Sequence, residues 1–277
     1  MQNTAYSDNG DIEGGLQRFP ESCALTELRN LVLIGHSRIT AIPAQISSLK
    51  KLKEISVNCS LSSLPKELSE LSGLTKLDVS CTGDLGDAPQ DEAFPAELGK
   101  LKSLRFLALG GRGLRAVPAF VGGLQSLEVL FLTGNENLRD APQDEPFPAE
   151  LGRMKSLREL GLSYCGFRAV PAFVGGLQSL EILYLRRNDE QIYATLDVLI
   201  RGCPRLHKVG LYRDSVEGPL SPESWAHLEA FEAKLLAKDP NAVVIFEESE
   251  DFSSSESEAF SCPFPFLCVL FFCHAVR

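Results

Sequence analysis

A unit of the form LxxLxL recurs along this chain, beginning at Leu28, Leu52, Leu74, Leu104, Leu127, Leu157, Leu180 and Leu206. Successive spacings are 24, 22, 30, 23, 30, 23 and 26 residues, so each unit is one supersecondary element, too short to enclose a core of its own. A length of 277 residues exceeds one average domain but is ordinary for one elongated array, and the period therefore decides the architecture. Most units run on into an apolar-Pro-x-x-apolar segment, read as AIPAQI, SLPKEL, AFPAEL, AVPAFV, PFPAEL and AVPAFV.

Within a unit, apolar residues at positions 4 and 6 alternate with polar or variable ones, which is the pattern of a short strand with one buried face. Position 1 adds a third core residue. The proline that follows has no N–H to give a ladder and a fixed φ, so it ends the strand and starts a return segment on the opposite side. Each unit is then one coil, and stacking the coils sets parallel strands about 4.8 Å apart over a continuous apolar core.

With these units in view, the chain resembles the leucine-rich-repeat family, and its Leu-Pro-type units are similar to intracellular arrays of the Ras-pathway scaffold, plant Ras-group and disease-resistance kind. The resemblance implies an α/β fold, a leucine-rich-repeat solenoid. It is a curved, right-handed stack of coils with a concave parallel β-sheet and an irregular or short-helical convex side. The family's asparagine at position 9 is present as Asn135 and Asn188, whereas His36, Ser60, Thr82, Arg112, Cys165 and Asp214 stand in the other units. A buried asparagine ladder is expected to be largely lost. Extracellular plant members carry a Gly-x-Ile-Pro pattern and cysteine-flanked caps, and this sequence has neither.

Four segments are expected. Residues 1–24 read as a degenerate N-terminal repeat or frayed cap, with Asn9 in the asparagine position and Phe19-Pro20 in the apolar-Pro position. Residues 25–215 hold the array of about eight units. Residues 216–246 form a C-terminal cap: Ser221-Pro222-Glu223 opens a helix that carries Trp225, Leu228, Phe231 and Leu235 on one side, and Val243 to Phe246 form a strand or return segment. Residues 247–277 are expected to be a disordered acidic, serine-rich and then apolar tail, whose apolar part is short of the roughly 20 residues of a spanning helix.

Hydrophobic residues make up 44% of the chain, enough for a sizeable core, and the net charge of −10 is concentrated in Glu247, Glu248, Glu250, Asp251, Glu256 and Glu258. Such a surface disfavours nucleic acid. The eight cysteines show no CxxC spacing and the polar N-terminus has no signal-peptide h-region, which points to a cytoplasmic, reducing setting. The histidines His36, His207, His227 and His274 are scattered without ligand spacing, and GGRG at Gly110 to Gly113 lacks the Lys-Ser/Thr of a phosphate loop. Asp87, Asp91, Glu92, Asp140, Asp144 and Glu145 lie in Pro- and Asp-rich loops without cation-binding spacing. No catalytic residue, metal or cofactor is expected, nor a membrane span.

What remains is recognition. Residues 87–132 and 140–185 align without gaps and are identical at 35 of 46 positions, the mark of a copied two-unit block. Side chains at positions 3, 5 and 7 point away from the core, and all five such positions in the window differ between the copies. They are Phe106 against Glu159, Ala108 against Gly161, Gly110 against Ser163, Val129 against Ile182 and Phe131 against Tyr184. Phe106, Val129, Phe131, Glu159, Ile182, Tyr184, Arg186 and Tyr212 are therefore the candidate residues for binding a protein partner on the concave face. Phe131 and Tyr184, two strands and so roughly 10 Å apart, are expected to stand clear of the core, so that truncating both leaves stability nearly unchanged. The expected function is a non-enzymatic interaction module in a signalling scaffold or adaptor. The alternative is a ligand-sensing fragment of an immune-type receptor.

Overall fold

A computed structural model of the chain describes residues 4–5, 26–34, 40–58, 61–81, 94–140, 147–212, 214–215 and 218–247. Asn9, Phe19-Pro20, five residues of the acidic loops (Asp87, Asp91, Glu92, Asp144 and Glu145) and the 248–277 tail lie outside them. The described strands are β1 (Thr4–Ala5), β2 (Asn30–Ile34), β3 (Glu54–Asn58), β4 (Lys76–Asp78), β5 (Phe106–Ala108), β6 (Val129–Phe131), β7 (Glu159–Gly161), β8 (Ile182–Tyr184), β9 (Lys208–Tyr212), β10 (Asp214–Ser215), β11 (Gly218–Pro219) and β12 (Val243–Glu247). All but β10 and β11, which pair with each other, join one parallel sheet in the order β1-β2-β3-β4-β5-β6-β7-β8-β9-β12.

The register follows the sequence period. Leu31, Ile55, Leu77, Leu107, Leu130, Leu160, Leu183 and Val209, the position 4 residues, are paired in one row across the strands. That row is buried, as are Leu33, Val57, Val79, Leu109, Leu132, Leu162, Leu185 and Leu211 at position 6. In β1 it is Ala5 that faces Leu31, one residue later than a reading with Asn9 at position 9 requires.

Five of the six prolines expected to end a strand cap a 3-10 turn; at the sixth, Pro148, the carbonyl still accepts from Leu151 N at 2.9 Å but Glu150 caps the shorter turn Leu151–Arg153. Pro43, Pro65, Pro95, Pro118 and Pro171 accept, at their carbonyls, the N–H of Ile46, Leu68, Leu98, Val121 and Val174 at 3.0–3.1 Å. These acceptor-to-donor spans set the apolar residue three places after proline into the core from the side opposite the sheet. The apolar-Pro-x-x-apolar pattern is thus the sequence form of one 3-10 turn.

The two position 9 asparagines tie coils together in the same way. Asn135 Oδ1 accepts from Arg112 N (2.9 Å) and Leu114 N (3.1 Å), while its Nδ2 donates to the Leu109 and Leu132 carbonyls. Asn188 repeats the pattern with Cys165 N, Phe167 N and the Leu162 and Leu185 carbonyls. Each amide therefore satisfies buried backbone groups of its own coil and the coil before. Where the asparagine is missing, other chemistry fills the core: Arg112 is fully buried and its Nη2 donates to the Leu61 carbonyl at 2.7 Å. The Cys165 thiol faces the Leu132 and Ser163 carbonyls, and burial pushes its pKa up to about 12, which keeps it neutral.

At the C-terminal end, the 3-10 turn Glu190–Thr195 is followed by helix α1 (Asp197–Gly202), and helix α2 (Pro222–Lys238) lies beyond it with Ser221 as N-cap, its Oγ accepting from Ser224 N at 3.2 Å. Leu228, Phe231 and Leu235 of α2 are buried, and β12 pairs with β9 so that Val244 continues the position 4 row.

Leu160 is fully buried, with Leu130 and Leu183 as its neighbours in the position 4 row. Leu160→Ala is expected to lower the unfolding free energy by about 2–5 kcal/mol in urea titration. A loss below about 0.5 kcal/mol, the range of surface sites, would contradict this packing.

Candidate protein-binding face

The sheet face turned away from the leucines is laid out by the same register. Position 3 runs Glu54, Lys76, Phe106, Val129, Glu159, Ile182, Lys208 and Val243, and position 5 runs Ser56, Asp78, Ala108, Phe131, Gly161, Tyr184, Gly210 and Ile245. The N-terminal part is polar: Ser56 Oγ donates to Asp78 Oδ2 at 3.3 Å, and Asp78 Oδ1 accepts from Ser80 N at 3.1 Å. From β5 onward the face turns aromatic.

Those aromatics are not free-standing. Lys76 Nζ lies 5.0 Å from the Phe106 ring centre, Phe106 and Phe131 are 5.8 Å apart, and Phe131 and Tyr184 are 6.2 Å apart. Two strands would separate the last two by roughly 10 Å, and the rings close that gap because Gly161 lies between them. A Cβ at Gly161 would stand 2.2 Å from Phe131 Cδ1, and one at Gly210 would stand 2.9 Å from Tyr184 Cδ1. Each ring thus lies across the glycine of the next strand.

This packing corrects an expectation. Phe106 (8% exposed), Phe131 (4%), Tyr212 (5%) and Arg186 (9%) are buried although they point away from the leucine core, whereas Val129, Glu159, Ile182 and Tyr184 are half-buried. Truncating Phe131 removes packing as well as contact surface, so its loss is not neutral for stability. Gly161→Ala is expected to lower stability by about 1–3 kcal/mol through forced displacement of the Phe131 ring, read by chemical denaturation. An unchanged midpoint would mean that the ring does not lie over Gly161.

Charge gathers on β7 to β9. Burial raises the Glu159 pKa above the usual carboxylate value, a rise opposed by a hydrogen bond from the Tyr184 hydroxyl and by the Lys208 charge. The folded protein holds this proton more tightly than the unfolded chain, so the ionised carboxylate weakens the fold as pH rises through and above the ordinary glutamate range of about 4.3. Glu159→Gln is expected to raise Tm at neutral pH, and that gain is expected to shrink as pH falls through the same range. A gain that grows on acidification would reverse the assignment.

Beside this carboxyl, the Arg186 guanidinium lies 5.6 Å from the Tyr184 ring centre, and that of Arg187 lies 4.1 Å from the Tyr212 ring with Nη2 donating to Tyr212 Oη at 2.6 Å. The Tyr193 hydroxyl donates to the Tyr212 carbonyl and anchors that strand end. Arg187 escaped the sequence reading because it occupies position 8, beyond the alternating positions. Extending the comparison of the copied blocks by two residues, to Gly134 against Arg187, would have found it.

The position 2 charges pair between neighbouring coils, Arg105 Nη1 with Glu128 Oε1 at 2.6 Å and Arg158 Nη1 with Glu181 Oε1 at 2.9 Å. Being exposed, they contribute little to stability. Among the described residues no three His, Cys, Asp or Glu side chains come together as metal ligands, and no helix is long and apolar enough to cross a membrane.

No protein-family model matches the chain. In an alignment 205 residues long that covers 69% of it, the chain is 32% identical to TMV resistance protein N of Nicotiana glutinosa, of which it spans 15%. Among solved structures, a leucine-rich-repeat protein of Leptospira interrogans superposes with a TM-score of 0.50 at 24% identity, over 81% of this chain and 56% of that one. Internalin C2 of Listeria monocytogenes superposes with a TM-score of 0.46 at 17% identity, over 75% of this chain and 76% of that one. The likeness to the Leptospira protein is one of fold.

Proposed function

Taking as premise that this chain is a leucine-rich-repeat protein, we propose that it is a non-enzymatic interaction module of the cytosol, a signalling scaffold or adaptor that binds a protein partner on the outward face of β5 to β9. The supporting observation is the copied block. Its prolines and most core leucines are held, Leu101 against Met154 and Leu114 against Phe167 being core exceptions, while every outward position in the aligned window differs, and those five changes fall on one sheet face. A uniform drift of exposed sites would also have altered residues such as Gln125 and Ser126, which are exposed and repeat as Gln178 and Ser179. Val129, Ile182 and Tyr184 are the half-buried apolar and aromatic surface of that face, a composition suited to an interface centre.

A second reading, the ligand-sensing array of an immune-type receptor, is favoured by the identity to TMV resistance protein N. It retains the same face and changes only the assembly around it. A transcript continuing into a nucleotide-binding domain would select it.

Val129 and Ile182 flank Glu159 on adjacent strands and are half-buried, which makes them better probes than the packed Phe131. Val129→Lys with Ile182→Lys is expected to abolish capture of the partner bound by the wild-type chain, with little change in Tm. Gln125→Ala with Gln178→Ala is expected to leave both intact. Equal capture by the lysine pair, verified by quantitative pull-down and mass spectrometry, would remove the face from the interface.

A further inference from the structure

We propose that the corner of this face formed by Tyr164, Arg186, Arg187 and Tyr212 is a subsite for acidic side chains, taking aspartate or glutamate carboxylates from an extended segment of the protein partner. The inference rests on the binding-face reading above and assigns its ligand chemistry.

The first ground is a backbone state that two residues hold at a cost. Position 8 is where the chain leaves the sheet: its N–H makes the last inter-coil bond, Gly111 to the Thr133 carbonyl (2.9 Å), Gly134 to the Ser163 carbonyl (2.9 Å) and Tyr164 to the Arg186 carbonyl (2.8 Å). The backbone there is left-handed in both copies of the block. φ is 62° at Gly111 and 77° at Gly134 in the first copy, and 57° at Tyr164 and 54° at Arg187 in the second. Glycine takes this conformation freely and a residue with a Cβ does not. Tyr164 and Arg187 are the non-glycine residues with positive φ among the described residues, and they fall on adjacent coils. The copied scaffold shows that glycine serves at both places, so the strained side chains mark a use other than folding.

The second ground is geometric. The Arg187 guanidinium carbon lies 4.1 Å from the Tyr212 ring centre, with the Tyr212 hydroxyl accepting from Nη2, and among the described residues no carboxylate pairs with it. Its Nε is buried without an acceptor. A guanidinium held over an aromatic ring and bonded through Nη2 is fixed in orientation and leaves Nη1 for a carboxylate, a charge-assisted pairing to which arginine is well suited. Arg186, whose guanidinium carbon lies 5.6 Å from the Tyr184 ring centre, and Lys208 on β9 add positive charge.

The third ground is charge contrast. The chain carries a net charge of −10, yet Arg186 and Arg187 stand where the first copy has Thr133 and Gly134, and so place two added cations on the outward face. An acidic segment is complementary to that corner, and a basic one is repelled.

Arg187→Gly tests this without threatening the fold, because it installs the residue that the first copy already uses. The measurement is fluorescence anisotropy of a labelled ten-residue oligoglutamate with the full chain, beside an oligolysine control and a phosphoserine peptide of matched length. Wild type is expected to bind oligoglutamate and not oligolysine. Arg187→Gly is expected to weaken that binding about tenfold or more, with a Tm equal to or above that of wild type; Tyr164→Gly is likewise expected to keep or raise Tm. Undiminished oligoglutamate binding by Arg187→Gly, no binding by wild type, or tighter binding of the phosphoserine peptide would each overturn the assignment, as would a fall in Tm, which would make Arg187 structural. If the Val129 and Ile182 lysine pair loses its partner while Arg187→Gly keeps it, the face stands and the acidic subsite falls. If both keep it, the face itself is at fault.

Discussion

The structure depends on the row of position 4 side chains, Leu31 through Val209, paired strand to strand in a single register. Because side chains alternate along a strand, a one-residue slip anywhere would turn leucines outward and polar residues inward. The burial of both the position 4 and position 6 rows makes such a slip costly in every coil at once. Parallel pairing of consecutive units also requires each coil to return within about two dozen residues, and the proline-capped 3-10 turns accomplish that return while adding a third apolar row.

Close stacking leaves buried backbone groups at the ends of the strands, and these are satisfied unevenly along the array. Asn135 and Asn188 do so with one amide per coil, whereas Arg112 and Cys165 stand at the same position in alternate coils without replacing that function. The arrangement still works because each asparagine reaches the coil before it: the Arg112 and Cys165 backbones are held by their successors. Each asparagine thus serves a pair of coils, its own and the one before.

On the outward face the same stacking has a different result. Aromatic rings alternate with glycines across β6 to β9, and each ring finds its cover on the adjacent coil. Stability and recognition therefore share residues at Phe131 and Tyr184. They separate at position 8, where Tyr164 and Arg187 hold a backbone conformation that their own side chains disfavour. Side chains that work against local stability while facing outward are the ones a binding surface is expected to supply.

The repeat period, the strand register, the proline turns and the capping helix were legible in the sequence, since each rests on residues within a few positions of one another: alternation for strands, a proline for the turn, Ser221 and Pro222 for the helix start. The outward positions were legible too, because alternation dictates which residues share a face. How far each of those side chains is covered was not, because the cover comes from the next coil. Phe131 is buried by virtue of Gly161, and Tyr212 by an arginine of the preceding coil, contacts between residues 25 or more apart. Nor does residue type announce a left-handed backbone at a tyrosine or an arginine. The chain turns away from the sheet there, the Tyr164 N–H donating to the Arg186 carbonyl, and only the tertiary structure brings Arg187 to Tyr212.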